Sequence, residues 1–203
     1  MKKLVFLAVL ALALPIAAFA DAGVDYTNSG GTLSGSSSGL TLSGSTLIAI
    51  RGLNGGGLVT GSLGSVTFST GALDSGSLQT GGIFASGGSF TITGNGSKGI
   101  PNGTLFTGSF SSSSPVTWTM VTLANGTHNY TLTGALQGTN GAGLSAFGAT
   151  VQLTINTGKG FFSGSTSIAS GDTNVVVPEP GSLSLLGTGL VGVAGAIRRK
   201  LKA

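Results

Sequence analysis

Between residues 47 and 168 the chain alternates apolar and polar side chains in short runs. Leu47–Ile50, Val66–Phe68, Phe90–Thr93, Thr104–Phe110, Pro115–Leu123, Tyr130–Thr133 and Thr150–Ile155 place Thr, Val, Phe and Ile at period two. That period suits a pleated, half-buried surface. Clusters of Gly, Asn and Ser punctuate the runs about every ten residues, a spacing typical of antiparallel architectures. The pattern predicts an all-β protein with an antiparallel β-sandwich or barrel-like body. Its clearest hairpin spans 116–133 and turns at Asn125-Gly126. A two-residue loop there pairs Leu123 with His128 and Val121 with Tyr130, and sets Trp118 and Met120 on the face opposite Val121. Either a bulge near Met120 shifts the phase or both faces are partly covered. A second hairpin is expected to join Ala149–Asn156 to Phe161–Ile168 through Thr157–Gly160.

The pattern changes at both ends. Leu4 to about Ala17 is continuously apolar behind Lys2 and Lys3, and Ala18-Phe19-Ala20 offers a small-x-small cleavage site. Residues 1–20 therefore read as a secretory signal peptide, with Ala18 and Ala20 as the residues signal peptidase recognises. Residues 21–46, which include SGGTLSGSSSGLTLSGST, are low in bulky anchors and read as a Gly/Ser/Thr leader, flexible or weakly edge-paired. Residues 47–176 form the β-rich exported body. Residues 177–203 hold Val177-Pro178-Glu179-Pro180, then the uncharged stretch Gly181–Ile197, then a basic tail with Arg198, Arg199 and Lys200. As helix the 17 residues of that stretch reach about 25 Å, slightly short of a hydrocarbon core of about 30 Å. Snorkelling basic residues and local thinning absorb the difference, so a single transmembrane helix is predicted. The basic tail stays cytoplasmic and the body lies outside the inner membrane.

Composition sharpens this outline. Glycine occupies 38 of 203 positions, and the chain has no cysteine. A disulfide framework and thiolate zinc sites are excluded. Helix is disfavoured throughout the body, because each interior Gly costs about 1 kcal/mol relative to Ala. The net charge of +4 belongs to the two ends. Between residues 21 and 180 the only cations are Arg51, Lys98 and Lys159, against Asp21, Asp25, Asp74, Asp172 and Glu179. A nucleic-acid partner is not expected of a body without a basic face.

The C-terminal run VPEPGSLSLLGTGLVGVAGAIRRKLKA resembles the PEP-CTERM protein-sorting signal, which joins a Pro-Glu-Pro motif, a short transmembrane helix and an Arg-rich tail. Pro178, Glu179 and Pro180 match its motif position by position. The resemblance implies a precursor anchored in the inner membrane of a Gram-negative bacterium. It also implies an exosortase-type membrane enzyme as partner, removal of the tail, and delivery to the cell surface or extracellular matrix, often beside exopolysaccharide. Independently of it, Pro178 and Pro180 fix their own φ and hold the residues before them extended, a form a protease cleft can bind.

Candidate chemistry in the body is sparse. His128 is the only histidine, so any Ser-His-acid triad needs it as base. It is expected to be a partly exposed hairpin residue. Asp74 with Asp172 is the one conceivable carboxylate pair, and no calcium-loop pattern occurs. No catalytic, cofactor-binding or metal-ligating residue is assigned, and no cofactor is expected. Asn95, Asn102, Asn125 and Asn129 begin Asn-x-Ser/Thr triplets, three of them Asn-Gly, which suits turns. The expected role is a non-enzymatic structural or adhesive surface protein. The alternatives are a small carbohydrate-binding module stacking sugars on Trp118, Tyr26 or Tyr130, and a surface protein whose tail is never cleaved.

Overall fold

The computed structural model describes residues 23–177, with the side chains of 148–152 excepted. Thirteen strands follow in chain order: β1 (Gly23–Ser29), β2 (Thr32–Ser36), β3 (Gly39–Arg51), β4 (Leu58–Ser69), β5 (Leu73–Ser77), β6 (Gly81–Phe84), β7 (Gly87–Asn95), β8 (Asn102–Phe110), β9 (Val116–Thr122), β10 (His128–Asn140), β11 (Ser145–Asn156), β12 (Ser165–Ser167) and β13 (Ser170–Val176). Every pairing is antiparallel. Eight strands close on themselves into a barrel-like ring in the order β11-β13-β1-β3-β4-β7-β8-β10, with β10 returning to β11. Two flaps branch from the ring. The first half of β3 pairs with β2 and through it with β12, and the first half of β10 pairs with β9, then β6 and β5.

Period-two alternation decides which side chains fill the ring. Along β10, His128, Tyr130, Leu132, Gly134 and Leu136 point inward while Asn129, Thr131, Thr133 and Ala135 lie on the outer face. Eight strands leave an interior just wide enough for side chains. It holds two aromatic groups. Phe68 stacks on Phe90 at 5.8 Å, and Phe110 meets both edge-on. Trp118 stacks on Tyr130 at 5.0 Å, and Phe162 approaches Trp118 edge-on at 5.6 Å. The backbones come closest where glycines face each other, as at Gly108 and Gly138 on β8 and β10. A Cβ on Gly138 would lie 2.1 Å from the Thr107 carbonyl oxygen.

Three expectations are corrected. Residues 23–46 are no leader, because they build β1, β2 and the first part of β3, and the boundary drawn at 46 falls inside β3. Val24, Tyr26, Leu33, Leu40 and Leu42 are buried there, so five apolar side chains suffice where the ring supplies the opposing surface. The 116–133 hairpin forms one residue out of the expected register, pairing His128 with Thr122, Tyr130 with Met120 and Leu132 with Trp118. Its loop has three residues: Gly126 donates to the Leu123 carbonyl, Leu123 donates to Thr127, and Gly126 sits at φ +78°. This is the turn-plus-bulge closure of a three-residue hairpin. A one-residue slip swaps the faces, which is why Trp118 lies inside and Val121 is 53% exposed. The second expected hairpin does not form. β11 pairs with β10 and β13, and 157–164 is a loop that carries Phe162 into the ring.

Candidate functional site

β1 and β13 are neighbours in the ring, with Gly23 paired to Val176. The body's first and last described strands therefore begin and end at the same rim. The loops joining β3 to β4, β7 to β8 and β10 to β11 turn at this rim as well, as the strand directions require. Just below it, the outer face of β13, β1, β3 and β4 carries a shallow concavity of about 430 Å³. One row across these strands reads Asn174, Asp25, Arg51, Leu58, and the next reads Asp172, Thr27, Ala49. Asn174 donates its side-chain amide to the Asp25 carboxylate. Charged side chains are scarce in this body, yet Asp25, Arg51 and Asp172 share one small surface. The face offers carboxylates that accept, a guanidinium that donates and an apolar patch at Leu58, which is 64% exposed.

The register thus brings Asp172 beside Asp25, not Asp74. Asp74 lies on β5, in the flap that branches from β10. The sequence concealed the diagonal closeness of Asp25 and Asp172 because they come onto one face only when the first strand joins the last, and residues 21–46 are poor in the bulky side chains that signal a core strand.

The proposed stacking platform is overturned. Trp118, Tyr26 and Tyr130 are 2%, 3% and 0% exposed and belong to the core. Their polar ends serve packing. Trp118 Nε1 donates to the Leu78 carbonyl at 2.9 Å, and Tyr130 Oη donates to the Gln79 carbonyl at 2.7 Å while accepting from the Phe162 N–H at 3.0 Å. Burial pushes the Tyr26 phenol up to about 12, since the charged phenolate is disfavoured away from water. His128 is also buried, contrary to the expected exposed position. Its Nδ1 lies 3.1 Å from the Thr122 hydroxyl and its ring stacks on Phe161 at 4.5 Å. This places it at the rim opposite the concavity. Among the described residues no three His, Cys, Asp or Glu side chains converge as a metal site.

At the near rim β13 ends at Val176, and the chain continues through Val177 into Pro178-Glu179-Pro180, the apolar stretch and the basic cluster. Residues 176–200 match the PEP-CTERM protein-sorting motif. The PEP-CTERM motif marks an exported protein, handled by an exosortase at the membrane and sorted from a membrane-anchored precursor to the cell surface. Comparison with curated proteins and with solved structures finds no match for the chain. Pro178, Glu179, Pro180, Arg198, Arg199, Lys200, Ala18, Ala20 and the expected transmembrane helix lie outside the described residues. Among the described residues no helix is long and apolar enough to cross a membrane. The PEP-CTERM match starts on the last residue of β13, so the signal follows the folded body with no intervening linker.

Proposed function

We propose that the body is a non-enzymatic structural or adhesive component of the surface or extracellular matrix of a Gram-negative bacterium, associated with exopolysaccharide and released from its membrane tail by exosortase. One observation carries this reading: a sorting signal joined directly to a closed body whose outer wall is hydroxyl-rich and nearly uncharged. Thr67, Thr91, Thr107 and Thr139 form a row across β4, β7, β8 and β10. Neighbouring strands lie about 4.8 Å apart, so the hydroxyls repeat at a spacing that suits a hydroxyl-rich polymer lying across the wall. The full chain is expected to co-sediment with purified exopolysaccharide of its host, and Thr91→Val with Thr107→Val to weaken that retention. Unchanged retention removes the wall from the reading, and no retention of the parent chain removes the polysaccharide. The intact mass of the protein isolated from its host tests processing: loss of residues 1–20 and of the tail is expected, whereas a mass that keeps residues 181–203 means a lasting anchor.

A second reading, a small saccharide-binding module, is favoured by the concavity. Asp25, Arg51, Asp172 and Asn174 can hydrogen-bond adjacent hydroxyls of one sugar against Leu58, without aromatic stacking. Asp172→Ala is expected to abolish such binding and to leave wall-mediated retention intact.

A further inference from the structure

The near rim exposes large apolar side chains to solvent. Among the described residues the exposed large hydrophobic side chains are Leu58, Ile83, Val121, Leu123, Leu144, Phe147 and Phe161. Three of them are spread around the rim where the chain leaves the body. Phe147, 52% exposed, pairs with Val176; Leu144 is 48% exposed at the tip of the β10–β11 hairpin; Leu58 opens β4 beside Arg51. The neighbouring β7–β8 loop adds Lys98, whose ammonium donates to the Thr60 carbonyl.

Chain length says what covers this rim. Between Val177 and the apolar stretch that starts at Gly181 stand only Pro178, Glu179 and Pro180. Fully extended, three residues span about 10 Å. The headgroup layer on one side of a bilayer is about 5–7 Å thick. A tether of that length, anchored at Gly181, reaches at most about 3–5 Å beyond the headgroups, so the rim stays within about one water layer of them. We infer that in the membrane-anchored precursor the near rim rests on the lipid surface, with Leu58, Leu144 and Phe147 inserted at headgroup level. The inference rests on the tail anchoring the precursor, as the sorting motif implies. Partly exposed Leu and Phe at an interface gain by leaving water, and Arg51 and Lys98 beside them match phosphate. The opposite rim, with Val121, Leu123 and Phe161, exposes as many apolar side chains, and the chain does not leave the body there toward the apolar stretch.

The chain has no cysteine, so single labels are simple to place. Leu144→Cys and Phe147→Cys test the near rim, and Val121→Cys and Leu123→Cys the far one. Each full-length variant carries an environment-sensitive fluorophore and is reconstituted in phosphatidylethanolamine–phosphatidylglycerol vesicles with a shallow nitroxide lipid as quencher. At least twofold stronger quenching is expected at 144 and 147 than at 121 and 123. Equal quenching at the two rims overturns the inference. In a second form, twelve Gly and Ser residues are inserted between Val177 and Pro178. Persistent near-rim quenching then shows that the side chains hold the rim down, and its disappearance shows a leash alone and overturns the inference. Vesicle flotation separates the two levels: a chain that fails to float contradicts membrane anchoring itself, whereas one that floats with an unquenched Phe147→Cys label contradicts only the docking.

Discussion

The two aromatic groups inside the ring are built on different principles. Phe68, Phe90, Phe106 and Phe110 form a dry cluster of rings without polar atoms, at centroid distances of 5.8–6.2 Å. Their energy is area and shape. Trp118, Tyr130 and Phe162 are as deeply buried, yet Trp118 and Tyr130 both donate to carbonyls of the β5–β6 loop, and the Tyr130 oxygen also accepts from the Phe162 N–H in the loop after β11. The β5–β6 loop and the loop after β11 are thereby stapled to the ring. The first group stabilises the ring; the second also specifies where its covering segments go.

Substitutions separate these roles. The largest effect is expected from Phe90→Ala, which empties the centre of the dry cluster and costs about 3–5 kcal/mol, read from denaturant midpoints. Its loss should be global, with hydrogen exchange accelerated evenly. Tyr130→Phe keeps the ring but removes one donor and one acceptor. It is expected to cost about 1–3 kcal/mol, with faster exchange concentrated at the Phe162 amide, which bonds to the Tyr130 oxygen. Even acceleration in both variants would erase the distinction between the groups.

Tyr26 sharpens the comparison as an aromatic whose polar end is governed by burial. Its folded pKa of about 12 exceeds the ordinary value of 10.0. Its contribution is therefore fully present below pH 10 and lost as pH rises toward 12, because the unfolded chain gives up the proton first. Stability should fall there by at most about 1.4 kcal/mol per pH unit, and Tyr26→Phe should flatten the slope. The smallest effect is expected from Gly126→Ala, at roughly 1–2 kcal/mol for a side chain forced into the left-handed region. Fluorescence of Trp118 should keep its buried maximum, since the stacking of Trp118 on Tyr130 holds the register even when the turn is strained.

Legibility in the sequence followed locality. The runs Val66–Phe68, Phe90–Thr93, Thr104–Phe110, Pro115–Leu123 and Tyr130–Thr133 carried branched and aromatic residues at period two, and each overlaps a strand, whereas the Gly- and Ser-rich β5 and β6 gave no such signal. Three features escaped because the information sits elsewhere in the chain. Leu33, Leu40 and Leu42 looked sparse until β4, β12 and the ring supplied the rest of their packing. The hairpin register depended on a bulge at Gly126, and a single residue there reversed the faces of β9. Phe161 and Phe162 read as one strand, but Phe162 fills the ring and Phe161 covers His128. The sorting motif was fully legible, being a linear signal, whereas the Asp25–Asp172 face was not, since only ring closure assembles it.

That closure has a temporal side. β13 fills the gap between β1 and β11, so the ring is incomplete until residues 170–176 have joined it. A chain emerging from an export channel N-terminus first holds an open sheet with unpaired edges for almost the whole of its passage. The segment that ends this vulnerable interval is the one next to the PEP-CTERM signal. The body can therefore close only as the sorting signal itself reaches the membrane, so completion of the ring and arrival of the signal are consecutive events in one passage.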